Sequence, residues 1–294
     1  RMKKIVITGG LGYIGMELCK IYSGQSRTKN ITVIDNKFHS SRVEQLKRWG
    51  IKYRQIDILD SNNLNKEIND ADIIYHLAGI SDVATVKEDI NINHEKLVFA
   101  VGVEGTRNII NLSSESAKIV FPSTHVIFEG LKKVKYNIDE THEPSPVLDY
   151  AKGKLESEND LIKSNKNFVI LRLGSLYGKS FDSTRLNIMP NLFAKISSFN
   201  GKITLYSGGK QLKSLVSIND VVRCMEFVGE NKKINKEIFN CVNENLSVKD
   251  VADLCKKINK KTDLVTTDDP VPNEGYTLTN KKIRSNGFKF LYNV

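Results

Sequence analysis

The sequence has few residues of the kinds that build cross-linked, metal-binding or membrane-spanning proteins. Only four of its 294 residues are cysteine, six are proline and one is tryptophan. The cysteines are scattered, and none forms the close C-x-x-C pair that a zinc or redox site needs. No apolar run approaches the ~20 residues of a membrane span. We therefore expect a soluble, cytoplasmic protein with reduced thiols, no membrane association and no metal.

Acidic residues are outnumbered by basic ones, which gives a net charge of +10 and a pI of about 9.2. Clustered lysine and arginine would indicate a nucleic-acid partner. Here the basic pairs, such as those at 132–133 and 256–257, lie far apart and have no interleaved aromatic residues. We expect a solvated basic surface without a nucleic-acid partner, which helps attract an anionic small molecule.

Short apolar runs alternate with amphipathic stretches through the first 175 residues. This βαβ rhythm predicts an α/β fold with a doubly wound parallel sheet, the Rossmann type. The rhythm breaks after Gly178. We expect a dinucleotide-binding domain over residues 1–178 and a smaller, mainly substrate-binding lobe over 179–294, with a segment near 213–242 returning to the sheet.

A glycine-rich turn follows the first apolar run and opens an amphipathic stretch. Gly9, Gly12 and Gly15 give the pattern G-x-x-G-x-x-G, and Asp35 follows about 20 residues later at the end of the next apolar run. Glycine alone indicates only a permissive turn, but the strand, helix and acidic residue around it complete a dinucleotide-binding fingerprint. Such a turn lets the backbone approach a pyrophosphate at a helix N-terminus.

The position of Asp35 favours NAD over NADP. A carboxylate at the end of this strand accepts hydrogen bonds from the adenosine ribose and repels a 2′-phosphate. A plain strand-end turn residue is the alternative interpretation. Lys37 and Arg42 nearby keep NADP as a minority option.

A tyrosine and a lysine four residues apart form the second motif, Tyr150-Ala-Lys-Gly-Lys154. On a helix, positions i and i+4 share a face, so the phenol and the ammonium can converge on one ligand. A nearby cation favours phenolate, which predicts a lowered pKa and makes Tyr150 a candidate general base. The same spacing is common on helices without a catalytic role, so the motif alone favours the non-catalytic interpretation.

A third element places hydroxyl groups at the end of a predicted buried strand. Ser123 and Thr124 follow the apolar run at 119–122, and ligands bind outside such strand ends in open α/β sheets. A hydroxyl there can hydrogen-bond the substrate oxygen that exchanges a proton. His125 is adjacent, but a lone loop histidine is more often a satisfied polar residue, so we assign it no role.

Together these motifs resemble the extended short-chain dehydrogenase/reductase family, which includes NAD-dependent sugar epimerases and dehydratases. The resemblance is strongest to the nucleotide-sugar 4-epimerases. The motifs that carry it extend over nearly the whole chain: Thr8-Gly-Gly-Leu-Gly-Tyr-Ile-Gly15, Asp57-Ile58, His76-Leu-Ala-Gly79, Gly105-Thr106, Pro122-Ser-Thr124, Tyr150 with Lys154, Leu171-Arg-Leu-Gly-Ser-Leu-Tyr-Gly178, Leu215-Val-Ser-Ile-Asn-Asp220 and Phe239-Asn240.

The resemblance implies a role for each matching residue. Thr124, Tyr150 and Lys154 would be catalytic, with Lys154 also on the nicotinamide ribose. Ser175, the 176–190 loop and Lys213 would face the substrate, a nucleotide-diphosphate sugar. The implied NAD contacts are Gly9, Gly12, Tyr13 and Ile14 at the pyrophosphate, Asp35 and Asn36 at the ribose, Asp57 and Ile58 at adenine, and Leu77, Ala78 and Gly79 along the groove, besides Tyr150 and Lys154.

Some positions depart from the family pattern. His125-Val126 stands where the 4,6-dehydratases carry an acidic pair for water elimination, which disfavours dehydration. No Cys or His matches the acid/base pair of the 3,5-epimerases. Ser175 replaces a frequent asparagine, and Lys213 replaces an arginine whose two-pronged grip on phosphate a lysine does not reproduce. The sugar and its nucleotide stay open.

The leading interpretation is a C4 epimerase that passes through a 4-keto sugar, with Tyr150 as base and acid. A 4-keto-sugar reductase or dehydrogenase that exchanges NAD(P) at each turnover is the alternative. A non-catalytic dinucleotide-binding protein is a third interpretation, disfavoured because all three catalytic residues are retained. The resemblance also implies a homodimer through the helices around 95–112 and 150–163, although their apolar faces suit an ordinary core equally well.

Overall fold

A seven-stranded parallel sheet forms the centre of the computed structural model, which describes residues 1–79, 92–182, 184–271 and 273–294. The spatial order is β11-β7-β5-β4-β1-β2-β3. The chain order reverses between β1 and β4, and such a switch point opens a crevice at the carboxyl ends of the strands. The strands are β1 (Ile5–Thr8), β2 (Ile31–Asp35), β3 (Lys52–Gln55), β4 (Ile73–His76), β5 (Lys118–Thr124), β7 (Asn167–Leu173) and β11 (Glu237–Cys241).

Helices cover both faces of this sheet, which confirms the predicted doubly wound α/β fold. Alternate strand residues enter opposite cores: Ile5 and Ile7 contribute to one core, and Val6 contributes to the other. Both faces of β1 are therefore buried. One face carries α1 (Tyr13–Gly24), α2 (Ser40–Arg48), α7 (Ile218–Glu230) and α9 (Lys281–Ser285), and the other carries α3 (Ser61–Ile68), α4 (Ile92–Leu112) and α5 (Asp149–Lys163).

Three smaller sheets lie beyond the carboxyl ends of the central strands. They join β8 (Ser175–Tyr177) and β12 (Glu244–Ser247) to β10 (Leu212–Ser217), β9 (Lys202–Tyr206) to β13 (Asp263–Thr267), and β6 (Lys135–Ile138) to β14 (Tyr276–Leu278). The helices α6 (Asn191–Ser198) and α8 (Val248–Ile258) pack against β9 around a separate core that includes Phe193 and Leu205.

The chain after residue 178 contributes to both layers. β11 takes the edge of the central sheet beside β7, and α7 packs against α1. β10 instead pairs with β8 and β12 in one of the smaller sheets. We propose that the chain divides near residue 178 and that a segment near 213–242 returns to the central sheet.

Candidate active site

The glycine turn after β1 packs directly against the backbone that follows β4. Gly9 has a φ of +66°, and a Cβ atom there would lie 2.7 Å from the amide nitrogen of Ala78. A Cβ on Gly15 would lie 2.5 Å from the Cα atom of Gly10. Only glycine fits at either position, so the turn presses against the segment that contains Leu77, Ala78 and Gly79.

The first turn of α1 offers backbone N–H groups to an anion. Gly12 is the N-cap residue, no side chain caps this end, and the first turn contains no acidic residue. The uncapped amide groups and the helix dipole favour a pyrophosphate here. The structure therefore fits the predicted contacts at Gly9, Gly12, Tyr13 and Ile14, where the backbone lies at the turn.

The side chain of Tyr13 fastens a distant loop to this turn. Its hydroxyl donates to the carbonyl of Gly178 and accepts a hydrogen bond of 3.2 Å from Nδ2 of Asn191. Burial raises the pKa of Tyr13 to about 12, so the phenol stays neutral. Ser180 Oγ also donates to the carbonyl of Tyr13, at 3.1 Å. The loop after β8 is thereby held beside the predicted pyrophosphate site.

Asp35 ends β2 with its carboxylate held by main-chain amides of Leu11 at 3.2 Å and Lys37 at 3.0 Å. The guanidinium of Arg42, one of the two residues that kept NADP open, donates instead to the carbonyls of Leu11 at 2.9 Å and Asp182 at 2.7 Å. Asn36 follows on the surface. A carboxylate at the strand end, with the guanidinium of Arg42 bonded to main chain, suits a ribose diol better than a 2′-phosphate.

The predicted adenine flank lies just beyond β3. The side chain of Asp57 accepts from the amide of Leu59 at 2.9 Å, and Asn108 on α4 donates to the carbonyl of Ile58 at 2.9 Å. A Cβ at Gly105 would lie 2.1 Å from Cδ1 of Ile58. Glycine at that position therefore lets α4 approach Ile58 closely.

His76 ends β4 in a closed hydrogen-bond chain. Its Nδ1 lies 2.8 Å from Oγ1 of Thr8, its Nε2 lies 3.0 Å from Oγ1 of Thr106, and Thr8 also accepts the amide of Ala78. The Thr106 hydroxyl donates to the carbonyl of Gly102, at 2.7 Å, so it accepts from an Nε2–H group. Burial lowers the pKa of His76 to about 3, and the imidazole is neutral.

The three predicted catalytic residues meet where β5 ends. Tyr150 and Lys154 lie one turn apart on α5, and the side chain of Thr124 lies close enough to the Tyr150 phenol to act on its pKa. The ammonium of Lys154 donates to the carbonyl of Pro122 at 3.0 Å and lies 5.9 Å from the centre of the Tyr150 ring. Burial lowers the pKa of Lys154 to about 8.

The predicted lowering of the Tyr150 pKa is wrong for this structure. Burial raises the pKa of Tyr150, and the opposing effects of Arg185 and of the nearby Thr124 side chain do not reverse it. The ammonium of Lys154 lies over the phenol ring and bonds to main chain, so it does not offset the burial. Arg185, a nearby cation, lies in the 176–190 loop that the resemblance places at the substrate, but no motif in the sequence singles out this residue.

A buried ion pair supports the catalytic strand from behind. Glu158, one turn after Lys154 on α5, accepts from Ser123 Oγ at 2.5 Å and from Arg172 on β7 at 2.8 Å. The two charged side chains are 1% and 5% exposed. This pair fixes α5 against β5 and β7, and no local pattern in the sequence marks it.

The two predicted substrate residues lie near each other at the far end of the cleft. Ser175 Oγ lies 3.2 Å from Nε2 of His125, whose Nδ1 lies 2.8 Å from the hydroxyl of Tyr276. Lys213 and Glu129 lie beside this histidine, and burial lowers the pKa of Lys213 and raises that of Glu129. These side chains border a cavity of about 20 Å³ lined by His125, Glu129, Gln211, Leu212, Lys213, Ser214, Asn273, Gly275 and Tyr276.

Two kinds of site are absent from the described parts of the chain. Among those residues, no helix is long and apolar enough to cross a membrane. Within the same ranges, no three His, Cys, Asp or Glu side chains are grouped so that they would hold a metal ion. Position 183, inside the 176–190 loop predicted to face the sugar, lies outside the described residues.

The chain belongs to the NAD dependent epimerase/dehydratase family, whose model matches residues 5–241. The match confirms the predicted family and the predicted cofactor, NAD. The chain is 26% identical to the UDP-N-acetyl-alpha-D-glucosaminuronate decarboxylase of Bacillus cytotoxicus, over 85% of this chain and 78% of that protein. It is 25% identical to the UDP-glucose 4-epimerase of Mycoplasma genitalium, over 85% of this chain and 80% of that protein.

Solved structures of epimerases share the fold. The UDP-glucose 4-epimerase of Thermotoga maritima, crystallised with UDP-glucose, superposes with a TM-score of 0.82 at 20% identity, covering 99% of this chain and 94% of that one. The Thermus thermophilus UDP-glucose 4-epimerase, in complex with NAD, gives a TM-score of 0.81 at 20% identity, covering 99% and 95%.

Proposed function

We propose that the protein is an NAD-dependent epimerase that inverts C4 of a nucleotide-diphosphate sugar. The observation that carries the proposal is the convergence of Thr124, Tyr150 and Lys154 at the carboxyl end of β5. This cluster lies one strand away from β4 and the glycine turn that faces it. A sugar held at β5 would therefore lie beside the nicotinamide end of a dinucleotide held at that turn.

Tyr150 is the proposed base and acid of the reaction. It takes the proton of the C4 hydroxyl and returns a proton to the same oxygen after the sugar has turned over. NAD, when bound, supplies the hydride exchange at C4 that converts the alcohol to a ketone and back. Thr124 holds the substrate oxygen within reach of Tyr150, and its side chain lies close to the Tyr150 phenol.

Lys154 contributes charge and position. Its ammonium is anchored on the Pro122 carbonyl, and the lowered pKa of about 8 means that burial already works against the charged form. In this structure the cation does not offset the burial of Tyr150, and we propose that it favours proton loss from the phenol once NAD and the sugar are bound. We also propose, from the family pattern, that Lys154 binds the nicotinamide ribose.

His125 supports epimerisation over dehydration. It occupies the place of the first acidic residue of the dehydratases, and burial together with the charge of Lys213 lowers its pKa to about 3. A neutral imidazole with both nitrogens hydrogen-bonded has no proton to give a leaving hydroxyl. The protein side of the site therefore lacks the acid that water elimination needs at this position.

The test is Tyr150→Phe in a coupled assay for C4 epimers. Freshly purified protein is first denatured, and released nucleotides are identified by mass spectrometry, which shows whether NAD is retained. UDP-glucose, UDP-N-acetylglucosamine and UDP-glucuronate are then incubated without added NAD or NADH. We expect one of them to equilibrate with its C4 epimer, and Tyr150→Phe to lower kcat about 10²- to 10⁴-fold at unchanged NAD content.

Tyr206→Phe is the matched control, because Tyr206 is an exposed tyrosine on β9. A near wild-type rate in Tyr150→Phe would refute the assigned role. Steady NADH consumption with a keto-sugar would favour the reductase, and loss of CO₂ from UDP-glucuronate would favour a decarboxylase. A protein that binds NAD but converts no sugar would favour the non-catalytic interpretation.

We also propose a homodimer built from α4 and α5. The two helices pack side by side on one face of the sheet, and Leu97 and Ile162 on them are 51% and 49% exposed. Pairing these faces in two copies would bury both side chains in a four-helix interface. Size-exclusion chromatography with light scattering tests this, and a clean monomer would reject it.

A further inference from the structure

A chain of hydrogen bonds links three residues that lie far apart in the sequence. Ser175 Oγ lies 3.2 Å from His125 Nε2, and His125 Nδ1 lies 2.8 Å from the hydroxyl oxygen of Tyr276. The same hydroxyl donates to the main-chain carbonyl of His125, also at 2.8 Å. The imidazole and the tyrosine are buried, whereas Ser175 is partly exposed.

The direction of each bond in this chain follows from counting protons. Tyr276 has one hydroxyl proton, and the carbonyl of His125 can only accept, so the proton lies on that bond. The hydroxyl oxygen must then accept from His125, which places the imidazole proton on Nδ1. Nε2 is left as an acceptor, and the proton of Ser175 therefore points to Nε2.

Ser175 is thereby left with lone pairs only. Its single proton is committed to His125, so its oxygen can accept a hydrogen bond from a ligand but cannot donate one. An asparagine at this place would offer two N–H donors as well as a carbonyl. The replacement thus changes the chemistry of the position from donor and acceptor to acceptor alone.

The position of Ser175 points this acceptor to the substrate side of the cleft. Thr124, the last residue of β5, pairs with Leu173, and Ser175 follows two residues later at the start of β8. His125 comes directly after Thr124. Ser175 therefore lies near the end of β5, where we propose that Thr124 holds the reacting sugar oxygen.

The groups around His125 keep the donors and acceptors of this hydrogen-bond chain in one order. Glu129 follows on the same turn, Lys213 faces His125 from β10, Tyr276 from β14 and Ser175 from β8. Burial, with the charge of Lys213, lowers the pKa of His125 to about 3. The imidazole therefore stays neutral near neutral pH, and a second ring proton does not turn Nε2 into a donor.

We propose that Ser175 recognises a hydrogen-bond donor on the sugar, a hydroxyl or an amide N–H group, and that His125 and Tyr276 are positioning residues that set this polarity. The inference rests on the proposed function, because it takes the occupant of the cleft to be a nucleotide sugar. It deepens that proposal by naming the part of the substrate that this position reads. Phosphate oxygens, which only accept, are excluded as the partner of Ser175.

The first test reads the tautomer of His125 without any substrate. Long-range ¹H–¹⁵N NMR spectra of the NAD-loaded protein separate protonated from unprotonated ring nitrogens, and His125→Gln assigns the signal. We expect the proton on Nδ1 of His125 and on Nε2 of His76, which gives an internal reference of opposite tautomer in the same spectrum. A proton on Nε2 of His125 would overturn the proposal.

The second test measures what the sugar adds to binding. Calorimetry gives the dissociation constants of UDP-glucose and of UDP for the NAD-loaded protein, and their ratio isolates the sugar. Ser175→Ala should reduce this ratio about three- to tenfold, the effect of one neutral hydrogen bond, and leave UDP binding unchanged. The matched control is Ser164→Ala, a partly exposed serine at the far end of α5.

Tyr276→Phe should act in the same direction through the tautomer. Without the hydroxyl, Nδ1–H of His125 loses its acceptor, so the NMR signal should shift toward a mixture of the two tautomers. The ratio of the UDP and UDP-glucose dissociation constants should fall as well. Tyr22→Phe, which removes another buried hydroxyl far from the cleft, controls for lost stability. A weakened UDP complex in Ser175→Ala, or no change in the ratio, would refute the proposed recognition.

The two proposals fail in distinguishable ways. If the protein epimerises no sugar but the proton lies on Nδ1, the proposed function fails while the polarity of the chain stands. If epimerisation occurs and the proton lies on Nε2, the function stands and this inference fails. If neither UDP nor UDP-glucose binds, the recognition of a UDP-sugar by Ser175 is refuted, whichever ring nitrogen of His125 holds the proton.

Discussion

The cofactor side and the sugar side of the cleft each contain a buried, neutral histidine, and the two have opposite polarity. On the cofactor side, His76 donates from Nε2 to Thr106 and accepts at Nδ1 from Thr8. On the sugar side, His125 donates from Nδ1 to Tyr276 and accepts at Nε2 from Ser175. The two neutral imidazoles therefore differ in which ring nitrogen donates and which accepts.

The difference lies in where each hydrogen-bond chain ends. The chain through His76 ends on the main chain, at the carbonyl of Gly102 and the amide of Ala78, so all its groups are satisfied within the protein. The chain through His125 ends on Ser175, which is partly exposed and whose hydroxyl accepts no hydrogen bond from the residues that the structure describes. A closed chain fixes a loop, and an open one presents an acceptor to a ligand.

The largest expected effect comes from breaking the buried ion pair between Glu158 and Arg172, which lies between the cofactor side and the sugar side. Glu158→Gln removes the buried partner of Arg172 and leaves an unpaired guanidinium, which should lower the free energy of unfolding by about 3–5 kcal/mol. Urea denaturation measures it. Glu156→Gln, two residues away on α5, removes an exposed partner of Arg107 and should cost at most about 1 kcal/mol. Equal losses in the two variants would contradict a buried ion pair.

The second effect breaks the cofactor side alone. Gly9→Ala places a Cβ at a φ of +66° and 2.7 Å from the backbone of Ala78, the residue that His76 and Thr8 hold in place. Strain and overlap together should cost about 2–4 kcal/mol and weaken NAD binding, measured by denaturation and by NAD titration. Gly24→Ala on α1 meets no atom within 4 Å and serves as the control. Unchanged NAD affinity in Gly9→Ala would show that the turn does not need glycine there.

The sequence relates the residues of the glycine turn and of α5 more readily than those around His125, because the former follow local patterns. Gly9 and Asp35 belong to one βαβ unit, and Tyr150 and Lys154 to one helix, so spacing alone relates them. The contact between His125 and Tyr276 spans 151 residues and follows no periodic pattern. Only the folded chain brings such residues together.

Electrostatics was the least predictable part of the site. A neighbouring lysine indicated a lowered Tyr150 pKa, but the sign depends on burial and on where the ammonium points, and a sequence specifies neither. The departures at Ser175 and Lys213 were visible as changed residue types. The effect of each change on the site became clear only from the neighbouring side chain in the structure, which is His125 for Ser175 and Glu129 for Lys213.

The smallest effect, in pH dependence, sharpens the comparison between the two histidines. Both have a folded pKa of about 3 against 6.5 in a solvated chain. Below pH 6.5 the unfolded chain binds protons that the folded chain excludes, so each histidine lowers the free energy of unfolding as the pH falls from 6.5 toward 3. Between pH 7 and pH 5 the loss should be about 2 kcal/mol per histidine.

Denaturation of His76→Gln and His125→Gln at pH 7 and pH 5 measures each share separately, because the pH-independent cost of either substitution cancels in the difference. Each variant should lose about 2 kcal/mol less than the wild type over this interval. If only His76→Gln does so, His125 accepts a proton in the folded protein at pH 5. Nε2 of His125 would then donate a hydrogen bond to Ser175 in acid. The hydroxyl of Ser175 would be an acceptor alone only near neutral pH, where Nε2 is unprotonated.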